Sequence, residues 1–118
     1  MQINEVFKQL NAININENEA EIIEENIPMK IKISTSNTMF CNINISTKCE
    51  DNIANKSLLE VFNKYEKMAK FYIDDNTLNI QTSLWVDRKV TKSGLSQVIE
   101  IMIAKMLSIL LLMEHNNG

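Results

Sequence analysis

Two stretches between residues 29 and 45 alternate strictly, and they constrain the fold more than any other feature of the chain. Met29, Ile31 and Ile33 interleave with Lys30, Lys32 and Ser34. Met39, Cys41, Ile43 and Ile45 interleave with Phe40, Asn42, Asn44 and Ser46. A period of two sends one set of side chains to one face, so both stretches read as strands with a single buried side. A three-residue loop, Thr35-Ser36-Asn37, would pair Ser34 with Thr38, setting Ile33 opposite Met39 and Ile31 opposite Cys41. Asn37 tolerates the left-handed conformation that such a loop needs. Pro28 suits the start of a strand.

A second hairpin follows the same logic. Phe71-Tyr72-Ile73 and Leu78-Asn79-Ile80 flank a two-residue turn at Asp75-Asn76, which pairs Ile73 with Leu78 and Phe71 with Ile80. The strand continues through Thr82, Leu84 and Val86. The stretch 12–26 reads as one or two short strands. Its acidic run (Glu17, Glu19, Glu21, Glu24, Glu25) suits a solvated sheet edge.

Helical periodicity appears three times. Ile3, Val6, Phe7 and Leu10 share one face, and Asn11 offers a stop. From about Lys56 to Ala69 the apolar stripe is Leu58, Val61, Phe62, Tyr65, Met68 and Ala69, with Asn52 or Asn55 as a cap. The last helix starts near Thr91 or Ser93 and runs to about Glu114. Its polar stripe is narrow: Gln97, Glu100, Ala104 and Ser108. The apolar run from Ile101 to Met113 contains Lys105 and falls short of the roughly 20 residues a bilayer demands, so no membrane span is expected.

The expected fold class is α+β: a two-layer sandwich, its mostly antiparallel sheet covered by helices on one face, in the order α-β-β-β-α-β-β-α. The 118 residues make one domain, 1–118, with 45% apolar and 23% charged residues, enough for a core without disulfides. The expected buried layer is Met29, Ile31, Ile33, Cys41, Ile43, Leu58, Phe62, Phe71, Ile73, Leu78, Ile80, Leu84, Val98, Ile99 and Met102.

Composition narrows function by removing tools. A net charge of −3 gives no basic footprint for nucleic acid. With Gly94 and Gly118 as the two glycines, a phosphate-cradling loop cannot be built. The single histidine, His115, lies near the C-terminus; Cys41 and Cys49 have no partner in a ligand-spaced cluster, so neither a metal nor a cofactor is expected. Asp74 and Asp75 are adjacent carboxylates that turn chemistry explains. The N-terminus lacks a basic region followed by an apolar run, which together with two cysteines points to the cytoplasm. No catalytic site is expected.

What is left is surface. Phe40, Tyr72 and Trp85 fall on the sheet face opposite the expected core, and aromatics on a wet face are typical interface anchors. A second candidate is the excess apolar surface of the last helix around Met106, Ile109, Leu110 and Met113, where flexible methionines suit adaptable contacts.

Three segments carry a family resemblance: Val61-Phe62-Asn63-Lys64-Tyr65-Glu66, then Ala69 through Ile80, then Val90-Thr91-Lys92-Ser93-Gly94-Leu95. Together they resemble the YbjN family, and the element order resembles the type III secretion chaperone fold. Glu66 stands where the family often has a second Asn, and Arg88-Lys89-Val90 where a Gly-containing loop is common. The resemblance implies a non-enzymatic, dimeric chaperone, adaptor or regulator with no catalytic residues to carry over. The expectation is therefore a homodimer that binds a protein partner and neither nucleic acid nor membrane. The alternative is a small acidic inhibitor (an immunity protein, antitoxin or phage anti-defence protein) whose Glu17–Glu25 stretch meets a basic target.

Overall fold

The period of two is realised in six strands. The computed structural model describes residues 3–36, 40–85 and 92–117. The elements are α1 (Ile3–Gln9), β1 (Ile13–Asn16), β2 (Glu19–Glu24), β3 (Ile27–Ser36), β4 (Phe40–Lys48), α2 (Ile53–Tyr65), β5 (Lys70–Asp74), β6 (Thr77–Trp85) and α3 (Lys92–Asn117). All pairings are antiparallel, in the spatial order β1-β2-β3-β4-β6-β5. The helices lie on one face, so the expected α+β class holds. Residues 12–26 supply two strands, making four before α2.

The chain has little glycine to spend on its turns, and it uses other residues in the left-handed region. Asp75 (φ 49°) and Asn76 (φ 55°) make the two-residue turn between β5 and β6, and the register pairs Phe71 with Ile80 and Ile73 with Leu78 as the sequence predicts. Glu25 (φ 50°) and Asn26 (φ 65°) do the same between β2 and β3, closing on Glu24 opposite Ile27. Asn11 (φ 57°) ends α1.

The β3–β4 pairing differs from expectation in a regular way. Ile33 faces Ile43 and Ile31 faces Ile45, four residues further along β4 than the predicted partners. An even step leaves every side chain on its face, so the core is unchanged. The longer register matches β3 and β4 over nearly their full lengths. The predicted turn residue Asn37 lies outside the described residues.

The buried layer gathers Met29, Ile31 and Ile33 of β3, Cys41, Ile43 and Ile45 of β4, Leu78 and Ile80 of β6, and Phe71 of β5. Against it α3 sets Leu95, Ile99, Met102, Met106 and Ile109, and α1 adds Val6 and Phe7. Leu58, Phe62, Ile73, Leu84 and Val98, expected inside, are half-buried at the rim. Phe62 meets Phe71 edge to face, ring centroids 6.1 Å apart.

Candidate protein-binding surface

Helix α2 starts where Asn52 caps it, its side chain accepting from the Asn55 amide at 2.8 Å. The rotation of the helix is then fixed by a polar residue. Asn55 is buried; its Nδ2 donates to the Glu50 carbonyl at 2.7 Å and lies 3.6 Å from Cys49 Sγ. At the other end Glu66 pairs with Lys105 of α3 at 2.6 Å and accepts from the Met68 amide. With these two anchors set, Leu59 is the one apolar side chain of α2 that is fully buried.

The outward face consequently carries a line of apolar residues among exposed Lys56, Glu60 and Lys64. Ile53 is 84% exposed, Val61 56% and Tyr65 74%, and with exposed Ser57 they recur every four residues along one side. The sequence places Val61 and Tyr65 on one apolar stripe with Leu58 and Phe62. The structure turns them out, because Asn55 and Glu66 take the inward positions.

Helix α3 shows the converse. Met106, Ile109 and Met113 lie on the turn-by-turn continuation of Ile99 and Met102 and are buried against the sheet, so they are core and not surface. Leu110 sits half-buried at the boundary. The outward line is instead Gln97, Ile101, Ala104, Ser108, Leu111 and Leu112. By length and composition alone the segment Gly94–His115, mean hydropathy 1.9, is long and apolar enough to cross a membrane, contrary to the shorter run counted from the sequence. His115 belongs to the last turn of α3 and is exposed.

Between the two helices runs a groove of about 430 Å³, walled by Phe62, Ile101 and Ala104 and crossed by the Glu66–Lys105 pair. A second recess of about 360 Å³ adjoins it through Phe62 and Glu66 and carries Val61 and Tyr65. The Lys105 hydrogen bond, then the Met68 amide, hold the Glu66 carboxyl below the usual carboxylate range. The groove is therefore apolar on its walls and neutralised across its floor.

The open face of the sheet is built differently. Asn42, Asn44, Ser46, Asn79, Gln81 and Ser83 occupy its centre, with Asn44 Nδ2 donating to Asn79 Oδ1 at 3.2 Å and Ser83 Oγ to Asn42 Oδ1 at 2.5 Å. Phe40 is 37% exposed and pairs in register with Trp85, whose side chain lies outside the described residues. Tyr72 pairs with Asn79, which pairs with Ser46, six positions along β4 from Phe40. At about 3.4 Å per residue that separation is roughly 20 Å. Phe40 and Tyr72 therefore do not share one patch.

The chemistry-bearing residues do not converge. Among the described residues no group of three His, Cys, Asp or Glu could hold a metal. Asp75 is consumed by its turn. Burial pushes the Cys41 thiol up; at Cys49 burial comes first and the Asp51 and Glu50 charges add to it. Neither is a poised thiolate.

No protein-family model and no curated protein matches the sequence. Two solved structures share the fold. One is YbjN from E. coli, at TM-score 0.68 and 11% identity, covering 97% of this chain and 90% of that one. The other is the Yersinia pestis type III secretion chaperone SycH, in complex with a stable fragment of YscM2, at TM-score 0.63 and 13% identity, covering 92% and 96%. The fold is YbjN-like and secretion-chaperone-like.

Proposed function

We propose that the chain is a non-enzymatic protein-binding module, acting in the cytoplasm as a chaperone, adaptor or regulator, and that it works as a homodimer. The observation that carries this reading is the outward face of α2. A helix of 13 residues that buries one apolar side chain is marginal by itself, and Ile53, Val61 and Tyr65 are costly to leave in water. A protein partner on that face and on the adjoining α2–α3 groove removes the cost. That SycH shares the fold and holds a protein fragment supports the same reading. Phe40 with Trp85, and separately Tyr72, are secondary contact points.

The acidic-inhibitor alternative loses ground on the geometry of β2. Glu19 and Glu21 alternate with buried Ala20 and Ile22 and stand in register with Lys32 and Lys30, Glu19 lying 3.9 Å from Lys32. Lys32 thus stands beside Glu19, and Asn14 Nδ2 donates to Glu21 at 2.9 Å, so both carboxylates have neighbours within the sheet.

The test is the solution mass and the holding activity of wild type and Val61→Glu/Tyr65→Glu. Light scattering after size exclusion should give twice 13.6 kDa for wild type and 13.6 kDa for the folded variant. Wild type should also suppress the turbidity of a reduced, unfolding model protein, and the variant should not. A monomeric wild type that suppresses nothing would overturn the reading.

A further inference from the structure

The β5 edge of the sheet ends on a side chain that imitates a strand. In an antiparallel ladder, alternate residues direct both backbone groups to the neighbour and the residues between direct theirs away. Asp74 closes the two-residue hairpin opposite Thr77, so Tyr72 and Asp74 face β6 while Phe71 and Ile73 face outward. At Phe71 that outward pair is taken. Asn63 Oδ1 accepts the Phe71 N–H at 2.8 Å, and Asn63 Nδ2 donates to the Phe71 carbonyl at 2.7 Å. A carboxamide is the side chain whose donor and acceptor match a peptide group side by side. Upstream, Thr82 Oγ1 donates to the Met68 carbonyl at 2.6 Å, so the approach to β5 is also satisfied.

We propose that Asn63 is an edge guard: its side-chain amide occupies the place of a neighbouring strand's peptide group and closes β5 to pairing with the β5 of a second copy. An unprotected edge carrying Phe71, Tyr72 and Ile73 is a template for such pairing. The opposite edge is guarded by backbone irregularity instead. β1 has four residues, a register break between Ile13 and Asn16, and Asn14 at φ 51°. With Phe71 covered at one edge and β1 broken at the other, association through backbone pairing is disfavoured at both edges.

The experiment uses the full chain in the Val61→Glu/Tyr65→Glu background, so that association through α2 does not contribute and the result stands apart from the proposed function. Adding Asn63→Ala should give a mass that rises with concentration and, at dilutions where the variant is monomeric, a tenfold or greater loss of hydrogen-exchange protection at the Phe71 amide. Adding Ile73→Pro as well removes an outward donor without touching the β5–β6 ladder, and should return the protein to a monomer. The proposal is overturned if Asn63→Ala keeps the parent's mass at every concentration, or if the monomeric variant keeps the parent's Phe71 protection. It is equally overturned if the variant self-associates and Ile73→Pro fails to reverse it, since the association would then come from unfolding.

Discussion

Helices α2 and α3 pack on the same sheet yet divide their residues in opposite ways. α3 buries an unbroken apolar side from Leu95 to Met113 and leaves a thin outward line. α2 buries Leu59 and a polar residue, Asn55, and turns Ile53, Val61 and Tyr65 to solvent. The contrast teaches that one helix is the lid of the core and the other is held along one narrow side, by Leu59, Phe62 and the Asn55, Asn63 and Glu66 side chains. Anchoring by those few side chains leaves the line of Ile53, Val61 and Tyr65 to serve as a contact surface.

The sharpest way to break this contrast is Met106→Glu. A charge placed in the dry interface between α3 and the sheet costs several kcal/mol, and the domain should unfold instead of merely changing its oligomeric state. Loss of the cooperative transition by circular dichroism is the expected result. Leu59→Ala comes next: it empties the one apolar anchor of α2 and should cost about 2–4 kcal/mol in urea melts. Glu66→Gln acts on the clasp between the helices. Because the folded carboxyl titrates below its ordinary value, the stability it contributes is complete above about pH 4.3 and is lost as pH falls through the lower folded value. The variant should therefore lose stability at pH 7 relative to wild type and show a flatter acid limb, read by urea melts between pH 2.5 and 7. Tyr65→Ser should change stability by about 0.5 kcal/mol or less while weakening association, which is the signature of a residue that belongs to the surface.

The parts legible in the sequence are those that a local rule decides. Asp75-Asn76 dictates a two-residue turn, and everything about β5 and β6 follows from it. The faces of β3 and β4 were equally legible, but their register was not. Alternation fixes only whether a partner is odd or even, and Ile31 is as well served by Ile45 as by Cys41. Residues 12–26 read as one or two strands and form two, but their bounds were not legible, because neither Gly nor Pro punctuates them and the break at Asn14 spoils the alternation. Asn26, a residue at ease at positive φ, was the one available signal for the β2–β3 turn.

The candidate site was less legible, for a physical reason. Ile53, Leu58, Leu59, Val61, Phe62 and Tyr65 together surround most of α2, so hydrophobicity could not choose its inward side. The choice falls to Asn55 and Glu66, whose partners, the Glu50 carbonyl and Lys105, lie outside the helix. Asn63 looks like an ordinary solvated residue until Phe71 is placed beside it. Met106, Ile109 and Met113 read as excess because the last helix is apolar on nearly all sides, and periodicity does not say which side meets the sheet.

The contact between the first and last helices has a consequence for synthesis. Ser96 donates to Gln9 at 2.8 Å, and Val6 and Phe7 are buried in the same core as Leu95 and Ile99. Every strand pairing is complete by Trp85, yet the apolar face of the sheet has only α1 and α2 to cover it until α3 follows. A nascent chain thus passes through an interval in which a finished sheet shows its inner isoleucines to the cell. Burial of that face waits until α3 has emerged, and until then the growing chain exposes apolar surface of the kind that aggregates or is held by chaperones.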